Sequence, residues 1–301
     1  MTVLVTGGSG FVGQAVIARL LNAGQLLRLA QRTKLSPALE ARGVEHALIG
    51  DLSVPIDWSR ALDGVDAVIH IAGLAHQPPG VSDVAMFKVN TEATARFANA
   101  AATAGVRSFI FMSSVRAMVG ASSHEIITDE TPPAPIDAYG RSKLEAELAL
   151  KAMGIGGAIL RPVLVVGAKA TGNLALLRKL ARLPVSLPLA GLSGRRSMIS
   201  DRSLAEAVHH LLFSGPSSMT SYLAAHPESM TVGEIVATMR EAQARRPALF
   251  SLPNIVLESA ARVAGKSRML ERVSGDLVVR ADRLAATGWQ PVETTREALA
   301  R

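Results

Sequence analysis

The 301-residue sequence contains no cysteine, which excludes disulfide bonds and thiolate-ligated metal sites. Aromatic residues make up only 4% of the chain, although 49% of its residues are apolar, and no apolar run is long enough to span a bilayer. The first ten residues lack a basic segment and turn glycine-rich at Gly7, so we expect no signal peptide. These absences together favour a cytoplasmic protein that binds no metal and has no membrane segment.

Basic residues exceed acidic residues by seven, and the excess lies in the third quarter of the chain. Residues 141–216 contain eleven lysines and arginines but only four aspartates and glutamates. A solvated basic surface is the ordinary explanation, and a phosphate-bearing substrate is the more specific one. Nucleic acid is not the expected partner, because no aromatic residues are interleaved with these charges.

The N-terminal residues have the order that a dinucleotide fingerprint requires: a β-branched run, a glycine-rich turn and a helical run. In this interpretation Gly7 permits the tight turn, Gly10 lets the backbone approach a pyrophosphate, and Gly13 lets the helix pack closely on the strand. The free amides at the helix N-terminus would then face the phosphates. A glycine turn with only a structural role is the alternative.

The second predicted strand, residues 25–30, is followed by Gln31 and Arg32. Proteins that bind NAD commonly carry an acidic residue here, which binds the ribose 2′-hydroxyl. With no carboxylate to repel it, a 2′-phosphate could lie beside Arg32, and this favours NADP(H). A solvated loop arginine is the alternative interpretation.

Further apolar runs predict parallel strands that are buried on both faces of a sheet, because such strands show no polar alternation. These runs are residues 44–49, 67–71, 107–112 and 158–161. They predict an α/β fold with a Rossmann-type doubly wound parallel sheet, in a domain covering residues 1–164. A long helix is expected over 83–104. His76, in the loop after the fourth strand, lies near the substrate or is an ordinary polar loop residue.

Beyond Pro162 the alternation of strands and helices weakens, and prolines divide the chain into short pieces. We expect a smaller C-terminal α/β substrate lobe over 165–301, interleaved with the first domain. Its short helices are expected near 173–182, 202–213, 231–242, 254–264 and 281–287.

Tyr139 and Lys143 are four residues apart at the start of a predicted helix, 138–153, so their side chains lie on one helix face. A cation beside a phenol stabilises the phenolate and lowers the tyrosine pKa, as acid–base chemistry on an alcohol or ketone requires. Ser113 and Ser114 follow the fifth strand at the edge where open α/β sheets bind ligands. An ordinary surface pair and ordinary turn serines are the alternatives.

The ordered motifs resemble those of the extended short-chain dehydrogenase/reductases, the NAD-dependent epimerase/dehydratase family. The C-terminal GW-x-P at Gly288, Trp289 and Pro291 is similar to a signature of that family. The other matching segments are TGGSGFVG (6–13), GDL (50–52), HIAGLAH (70–76), VNTEAT (89–94), FIFMSS (109–114), YGRSK (139–143) and LRP (160–162).

The resemblance implies a role for individual residues of this sequence. Ser114, Tyr139 and Lys143 take the catalytic places, with Asn90 in support. Asn173 and Arg196 take places where the family contacts the nucleotide diphosphate. The implied cofactor-binding residues are Gly7, Gly10, Phe11, Val12, Gly13, Gln31, Arg32, Asp51, Leu52, Ala72, Gly73, Tyr139 and Lys143.

Within the family, the chain is similar to a branch near UDP-glucose 4-epimerase that includes UDP-4-keto-hexosamine reductases of surface-polysaccharide synthesis. The expected reaction is NAD(P)H-dependent reduction of a UDP-4-keto-6-deoxy-hexosamine at C4. UDP-sugar 4-epimerisation is the alternative, and a regulator that only senses the cofactor is a rival from another class. In relatives, the helices matching 83–104 and 138–153 pair across a two-fold axis, which implies a homodimer.

Overall fold

The computed structural model describes residues 1–74, 81–252, 255–256, 259, 262 and 274–301. Within these residues the strands are β1 (Thr2–Thr6), β2 (Leu26–Gln31), β3 (Glu45–Leu48), β4 (Ala67–His70), β5 (Ser108–Met112), β6 (Gly157–Pro162), β7 (Leu164–Val166), β8 (Arg195–Ser200), β9 (Thr220–Ala224) and β10 (Ser229–Thr231). The helices are α1 (Phe11–Asn22), α2 (Pro37–Glu40), α3 (Ser59–Leu62), α4 (Asp83–Phe87), α5 (Ala93–Thr103), α6 (Ala138–Ala152), α7 (Asn173–Arg182), α8 (Asp201–Ser214), α9 (Val232–Glu241), α10 (Asp282–Ala286) and α11 (Thr295–Ala300).

The central sheet has seven strands among the described residues, in the order β3-β2-β1-β4-β5-β6-β9, and every neighbouring pair is parallel. The chain winds outward from β1 to β3 and then resumes on the other side at β4. The connection after β1 therefore leads to one side of the sheet, and the connection after β4 leads to the other. A crevice opens between them at the carboxyl ends of these two adjacent strands. The predicted doubly wound parallel sheet is confirmed.

Apolar side chains cover both faces of this sheet, as the continuous apolar strands require. On one face, α1 and α8 contribute side chains such as Val16, Leu20 and Val208 to the core. On the other face, α5 and α6 contribute side chains such as Phe97 and Leu150. The two layers hold the strand ends in fixed register, and the candidate site is built on those ends.

The C-terminal part contains strands that the sequence analysis did not predict. Strands β10, β8 and β7 form a second sheet, over which α7, α9 and α11 build a third core. Strand β9 instead pairs with β6 in the central sheet, so the chain returns to the first layer after leaving it. Strands β7 and β10 are only three residues long, which is too short for a periodic pattern to be recognised in a sequence. The domain boundary at residue 164 stays a prediction.

Most of the predicted helices occur, with altered bounds. The helix expected over 83–104 is divided by a π-helical turn, Lys88–Glu92, which separates α4 from α5. The helix expected near 254–264 falls largely outside the described residues, and so does His76. Within the described part of the chain, no helix combines the length and apolar character that crossing a bilayer needs.

His70, the last residue of β4, is a fully buried imidazole beneath the site. Its Nδ1 lies 2.7 Å from Thr6 Oγ1 and its Nε2 lies 3.0 Å from Thr94 Oγ1, so it links β1 to α5. The Phe97 and Phe111 rings pack around it. Burial, together with the smaller effect of the Lys143 charge, lowers the pKa of His70 to about 3.

We therefore expect the protein to lose stability between pH 7 and pH 5. The unfolded chain binds a proton at His70 below about pH 6.5, and the native chain does not until about pH 3. The free energy of unfolding should then fall by up to about 1.4 kcal/mol per pH unit for such a histidine. Buried His226, whose pKa is lowered to about 4, adds to the loss.

Urea unfolding of the wild type and of His70→Asn, at pH 7 and pH 5, measures the histidine contribution. The variant should lose less stability over this interval than the wild type, whatever its stability at pH 7. An equal loss in both proteins would show that His70 does not remain neutral in the native state.

Candidate active site

The candidate site lies at the carboxyl edge of the central sheet. Three segments meet there: the glycine-rich turn after β1, residues 71–74 after β4, and Ser113-Ser114 after β5. Helix α6 crosses behind the third segment and carries Tyr139 and Lys143. This edge is the place where open α/β sheets bind ligands.

The glycine-rich turn is packed too closely for side chains at two positions. Gly7 has φ +74°, and a Cβ there would lie 2.5 Å from the Ala72 amide nitrogen. A Cβ on Gly13 would lie 2.2 Å from the Gly7 carbonyl oxygen. At Gly10 a Cβ would meet that same oxygen only at 3.4 Å, so this position is open. The turn thus forms a backbone-lined cradle with its open side at Gly10.

The N-terminus of α1 closes the cradle. Gly10 is the N-cap residue and supplies no side-chain cap, and the first turn of α1 contains no acidic residue. The amides of Phe11 and Val12 belong to the first turn, whose N–H groups lack partners within the helix. These donors and the positive end of the helix dipole suit a pyrophosphate, so the residues present fit a dinucleotide.

The end of β2 carries two polar side chains that could select the cofactor. Gln31 Nε2 donates to the Thr33 carbonyl oxygen at 2.9 Å, so the Gln31 side chain bonds within its own loop. Arg32, 72% exposed, lies 3.5 Å from the Asp51 carboxylate. Hydrogen bonds from Ser53 and the Arg32 charge lower the pKa of Asp51. Leu52 follows and is half-buried.

The side chains of Tyr139 and Ser114 are in contact at the site. Their hydroxyls are hydrogen-bonded, and the Ser114 Oγ also accepts the Arg116 amide at 3.1 Å. Ser113 instead turns into the protein and donates to Glu147 Oε1. The geometry therefore selects Ser114, and not Ser113, as the partner of Tyr139.

Gly140 allows α6 to contact the turn that follows Ser114. A Cβ on Gly140 would lie 2.1 Å from the Arg116 carbonyl oxygen. Asp137 caps α6 by accepting the Gly140 amide at 2.8 Å, and it also pairs with the Arg116 guanidinium. The glycine inside the YGRSK segment thus sets the distance between Ser114 and Tyr139.

Protein groups act on the Tyr139 phenol in opposite directions. Burial raises its pKa most, the Ser114 hydrogen bond lowers it, the Asp137 carboxylate raises it, and the Arg116 charge lowers it. The pKa of Tyr139 in the protein alone is therefore raised above 10. The sequence predicted that Lys143 would lower this pKa; in the structure Lys143 is not among the groups that shift it, and burial raises it.

Lys143 is buried directly beside the end of β5. Its Nζ donates to the Met112 carbonyl oxygen at 2.9 Å and lies 4.6 Å from the centroid of the Phe111 ring. Burial lowers the pKa of Lys143, the Glu147 carboxylate partly offsets this, and the net value is about 8. This lysine is accordingly a cation that titrates near neutral pH.

Asn90 joins the cofactor side of the site to α6. It lies in the π-helical turn, a local geometry often found at functional sites. Its Oδ1 accepts the Leu74 amide at 2.8 Å, and its Nδ2 donates to Ser142 Oγ at 3.1 Å. A Cβ on Gly73 would lie 2.8 Å from Asn90 Oδ1, so the loop after β4 needs glycine there.

The two predicted diphosphate-binding residues lie in the C-terminal part. Asn173 is exposed at the first position of α7. Arg196, in β8, is half-buried and donates from Nη1 to the Ala121 carbonyl oxygen. Its Nη2 is buried and has no hydrogen-bond partner among the described residues. Burial and the nearby Arg116 charge lower the pKa of Arg196, and Asp276 raises it.

Sequence reasoning missed two residues of this arrangement. Glu147 lies four residues after Lys143, so the helical spacing that singled out the Tyr/Lys pair also pointed to it. Arg116 lies two residues after Ser114, but no local pattern indicates that its guanidinium reaches the cap of α6.

The chain is similar to several known proteins over most of its length. The UDP-glucose 4-epimerase of Vibrio cholerae is 26% identical over 98% of this chain and 92% of its own length. The ceramide reductase of Caulobacter vibrioides is 28% identical over 96% of this chain and 86% of its own. The solved structure of MoeE5 in complex with UDP-glucose and NAD has a TM-score of 0.78 and 20% identity. The match covers 100% of this chain and 96% of MoeE5.

Residues 3–219 match the NAD dependent epimerase/dehydratase family. That range includes the glycine cradle, Ser114, Tyr139 and Lys143, which the fold brings to one sheet edge. The chain is an enzyme of the NAD dependent epimerase/dehydratase family.

Proposed function

We propose that this protein reduces the C4 carbonyl of a UDP-4-keto-6-deoxy-hexosamine. The bound nicotinamide ring supplies the hydride. Tyr139 donates its proton to the carbonyl oxygen, and Ser114 hydrogen-bonds that oxygen while negative charge develops on it. Lys143 contributes a positive charge beside the phenol and binds the nicotinamide ribose. Asn90 holds the loop after β4 against α6, so these groups stay aligned.

The observation that carries the proposal is the contact between Ser114 and Tyr139. A hydroxyl held against a half-buried phenol forms a pair of donors that can converge on one oxygen atom. Such a pair suits an alkoxide that forms or disappears during hydride transfer. A protein that only senses the cofactor has no need of this pair, so the arrangement favours an enzyme over a regulator.

The substrate class rests on the groups across the site from the cradle. Arg196 has a buried Nη2 with no partner among the described residues, and Arg116 is close enough to lower its pKa. Two neighbouring guanidinium groups suit a diphosphate, which accepts hydrogen bonds from both. Asn173 at the start of α7 could add a further contact. The name of the Vibrio relative, a UDP-glucose 4-epimerase, points to the same substrate class.

Reduction, rather than epimerisation, is supported by the end of β2. A reductase must release its oxidised cofactor in each cycle, whereas an epimerase keeps NAD bound. Gln31 bonds within its own loop and Arg32 is largely exposed, so the two residues after β2 offer the adenosine ribose no carboxylate of their own. This arrangement favours an exchangeable cofactor, including NADP(H).

Purified protein supplied with the 4-keto sugar nucleotide and NADH or NADPH tests the proposal. We expect oxidation of the reduced cofactor together with formation of the 4-hydroxy sugar. The Vibrio relative supports UDP-sugar 4-epimerisation as the second candidate. Interconversion of UDP-glucose and UDP-galactose without added cofactor, and no oxidation of NAD(P)H by the keto sugar, would establish the epimerase instead.

Arg32→Glu should weaken the binding of NADPH more than that of NADH. An exposed arginine paired with a phosphate contributes up to about 1 kcal/mol, which corresponds to roughly fivefold in affinity. Fluorescence titration with both cofactors measures the ratio, and Arg60→Glu, at an exposed arginine of α3, provides a control. Equal losses for the two cofactors would remove Arg32 from cofactor selection.

We also propose that the protein is a cytoplasmic enzyme of surface-polysaccharide synthesis. It forms a homodimer in which two copies pair through α5 and α6. Leu148 on the outer face of α6 is 56% exposed, which suits an apolar contact between two copies. Leu148→Arg should shift the dimer toward monomer in light scattering at micromolar concentration. Leu48→Arg, at a leucine 72% exposed on β3, should leave assembly unchanged. A wild-type protein that scatters as a monomer would contradict the proposal.

A further inference from the structure

Helix α6 presents a third residue to the end of β5. Tyr139, Lys143 and Glu147 are spaced by four residues, so they lie along one face of the helix. The Met112 carbonyl oxygen accepts from Lys143, and the Ser114 hydroxyl bonds to Tyr139. Between these two, the Ser113 hydroxyl donates to Glu147. Three consecutive residues at the end of β5 are therefore each hydrogen-bonded to a residue on a different turn of α6.

Glu147 is held in place by an arginine from the neighbouring strand. Its side chain is fully buried, and that of Arg161, in β6, is only 5% exposed. Arg161 Nε lies 3.0 Å and 3.1 Å from the two Glu147 carboxylate oxygens, and Nη2 also contacts Oε2. Burying such a pair costs desolvation energy that apolar residues of similar volume would avoid. Fold stability alone therefore gives this pair little advantage.

We propose that Glu147 is a positioning residue for the acid–base set. Anchored by Arg161, it fixes Ser113 and thereby the direction of Ser114, and it places a negative charge one helical turn beyond Lys143. This inference rests on the proposed roles of Tyr139, Ser114 and Lys143. It assigns to Glu147 no contact with substrate or cofactor.

The charge of Glu147 matters because Lys143 has lost its hydration. The ammonium donates to the Met112 carbonyl oxygen from β5, and the Asn90 side chain lies close to it beside Gly73. Glu147 is the charged group that acts on it, and His70, which its charge reaches, is neutral. Burial lowers the pKa of Lys143 and the Glu147 carboxylate raises it, with a net value of about 8. Loss of that carboxylate would therefore deprotonate Lys143 at lower pH.

Two variants separate the charge of Glu147 from its hydrogen bond. Glu147→Gln combined with Arg161→Met removes both charges, so no unpaired ion is left buried, and the amide oxygen can still accept from Ser113. Ser113→Ala removes the hydrogen bond but keeps the charged pair. Glu145→Gln, on the exposed side of the same helix, is the control.

The charge variant should lose NADH affinity at lower pH than the wild type, whose affinity should fall as pH rises past about 8. Ser113→Ala should keep the wild-type pH profile but lower kcat by roughly 10- to 100-fold, because a small misplacement of a catalytic group is costly. The pKa of Tyr139 should also be higher in Ser113→Ala than in the wild type, because the Ser114 hydrogen bond that lowers it would be weakened. Phenolate absorbance in a Tyr222→Phe background reports that pKa without cofactor or substrate.

Unchanged NADH pH profiles in the folded charge variant, or a wild-type tyrosine titration in Ser113→Ala, would overturn the proposal. If the charge variant does not fold, the Ser113→Ala titration decides alone. Neither binding nor absorbance depends on a sugar substrate. A wild type that reduces no keto sugar would therefore remove the proposed function and still leave the role of Glu147 open to measurement.

Discussion

Tyr139→Phe should lower kcat by about 10²- to 10⁴-fold, the contribution of one general acid in the transition state. The phenylalanine ring keeps the packing of α6 but has no proton to give to the substrate oxygen. Ser114 remains a hydrogen-bond donor in the variant, so a small residual rate is expected. Turnover of the keto sugar with NADPH measures the loss.

The control for this experiment is Tyr222→Phe, because Tyr222 is the other tyrosine of the chain. It lies in β9, and its substitution should leave kcat within about twofold of the wild type, as expected away from the chemistry. NADH affinity should be retained in both variants. Near-normal turnover by the folded Tyr139→Phe variant would exclude Tyr139 as the acid.

Gly13→Ala and Gly10→Ala should have different effects, because main-chain atoms fill the space beside Gly13 but not the space beside Gly10. A methyl group at Gly13 would lie 2.2 Å from the Gly7 carbonyl oxygen, and main-chain atoms there cannot move aside. We expect Gly13→Ala to lose about 1–3 kcal/mol of stability through overpacking and to lose cofactor binding as the turn shifts.

At Gly10 the added methyl group would face open space, with its nearest neighbour at 3.4 Å. We expect Gly10→Ala to unfold at the wild-type urea concentration, yet to bind NADH at least tenfold more weakly, because the methyl group occupies the approach to the amides of α1. Urea unfolding and NADH titration on both variants measure the contrast. Wild-type NADH affinity in Gly10→Ala would show that the pyrophosphate lies elsewhere.

Much of the fold follows from local sequence. The strands β1, β4 and β5 and the helix α6 were predicted to within about two residues, because continuous apolar runs and helical spacing are short-range features. The positions of Gly7 and Gly13 were predicted for the same reason: a turn between a strand and a helix has few possible geometries. By contrast, β7 and β10 are three residues long and are formed by pairing with distant strands.

The candidate site was predicted as a set of residues but not as a set of contacts. The sequence placed Ser113 and Ser114 side by side, and either hydroxyl could have faced Tyr139. Neighbouring side chains on an extended strand point to opposite sides, so the choice depends on what lies on each side. Glu147, 34 positions away, takes the Ser113 hydroxyl and leaves Ser114 for Tyr139.

The sequence by itself determined the apolar parallel strands of the first half, the glycine-rich turn and the helical spacing of Tyr139 and Lys143. Tertiary structure alone decided which serine faces the phenol, where Lys143 points and that the Arg116 and Arg196 guanidinium groups come close to each other. The physical reason is that these outcomes depend on desolvation and on partners far along the chain. Burial raises the pKa of Tyr139 and lowers that of Lys143, and burial exists only after the strands and α6 have packed.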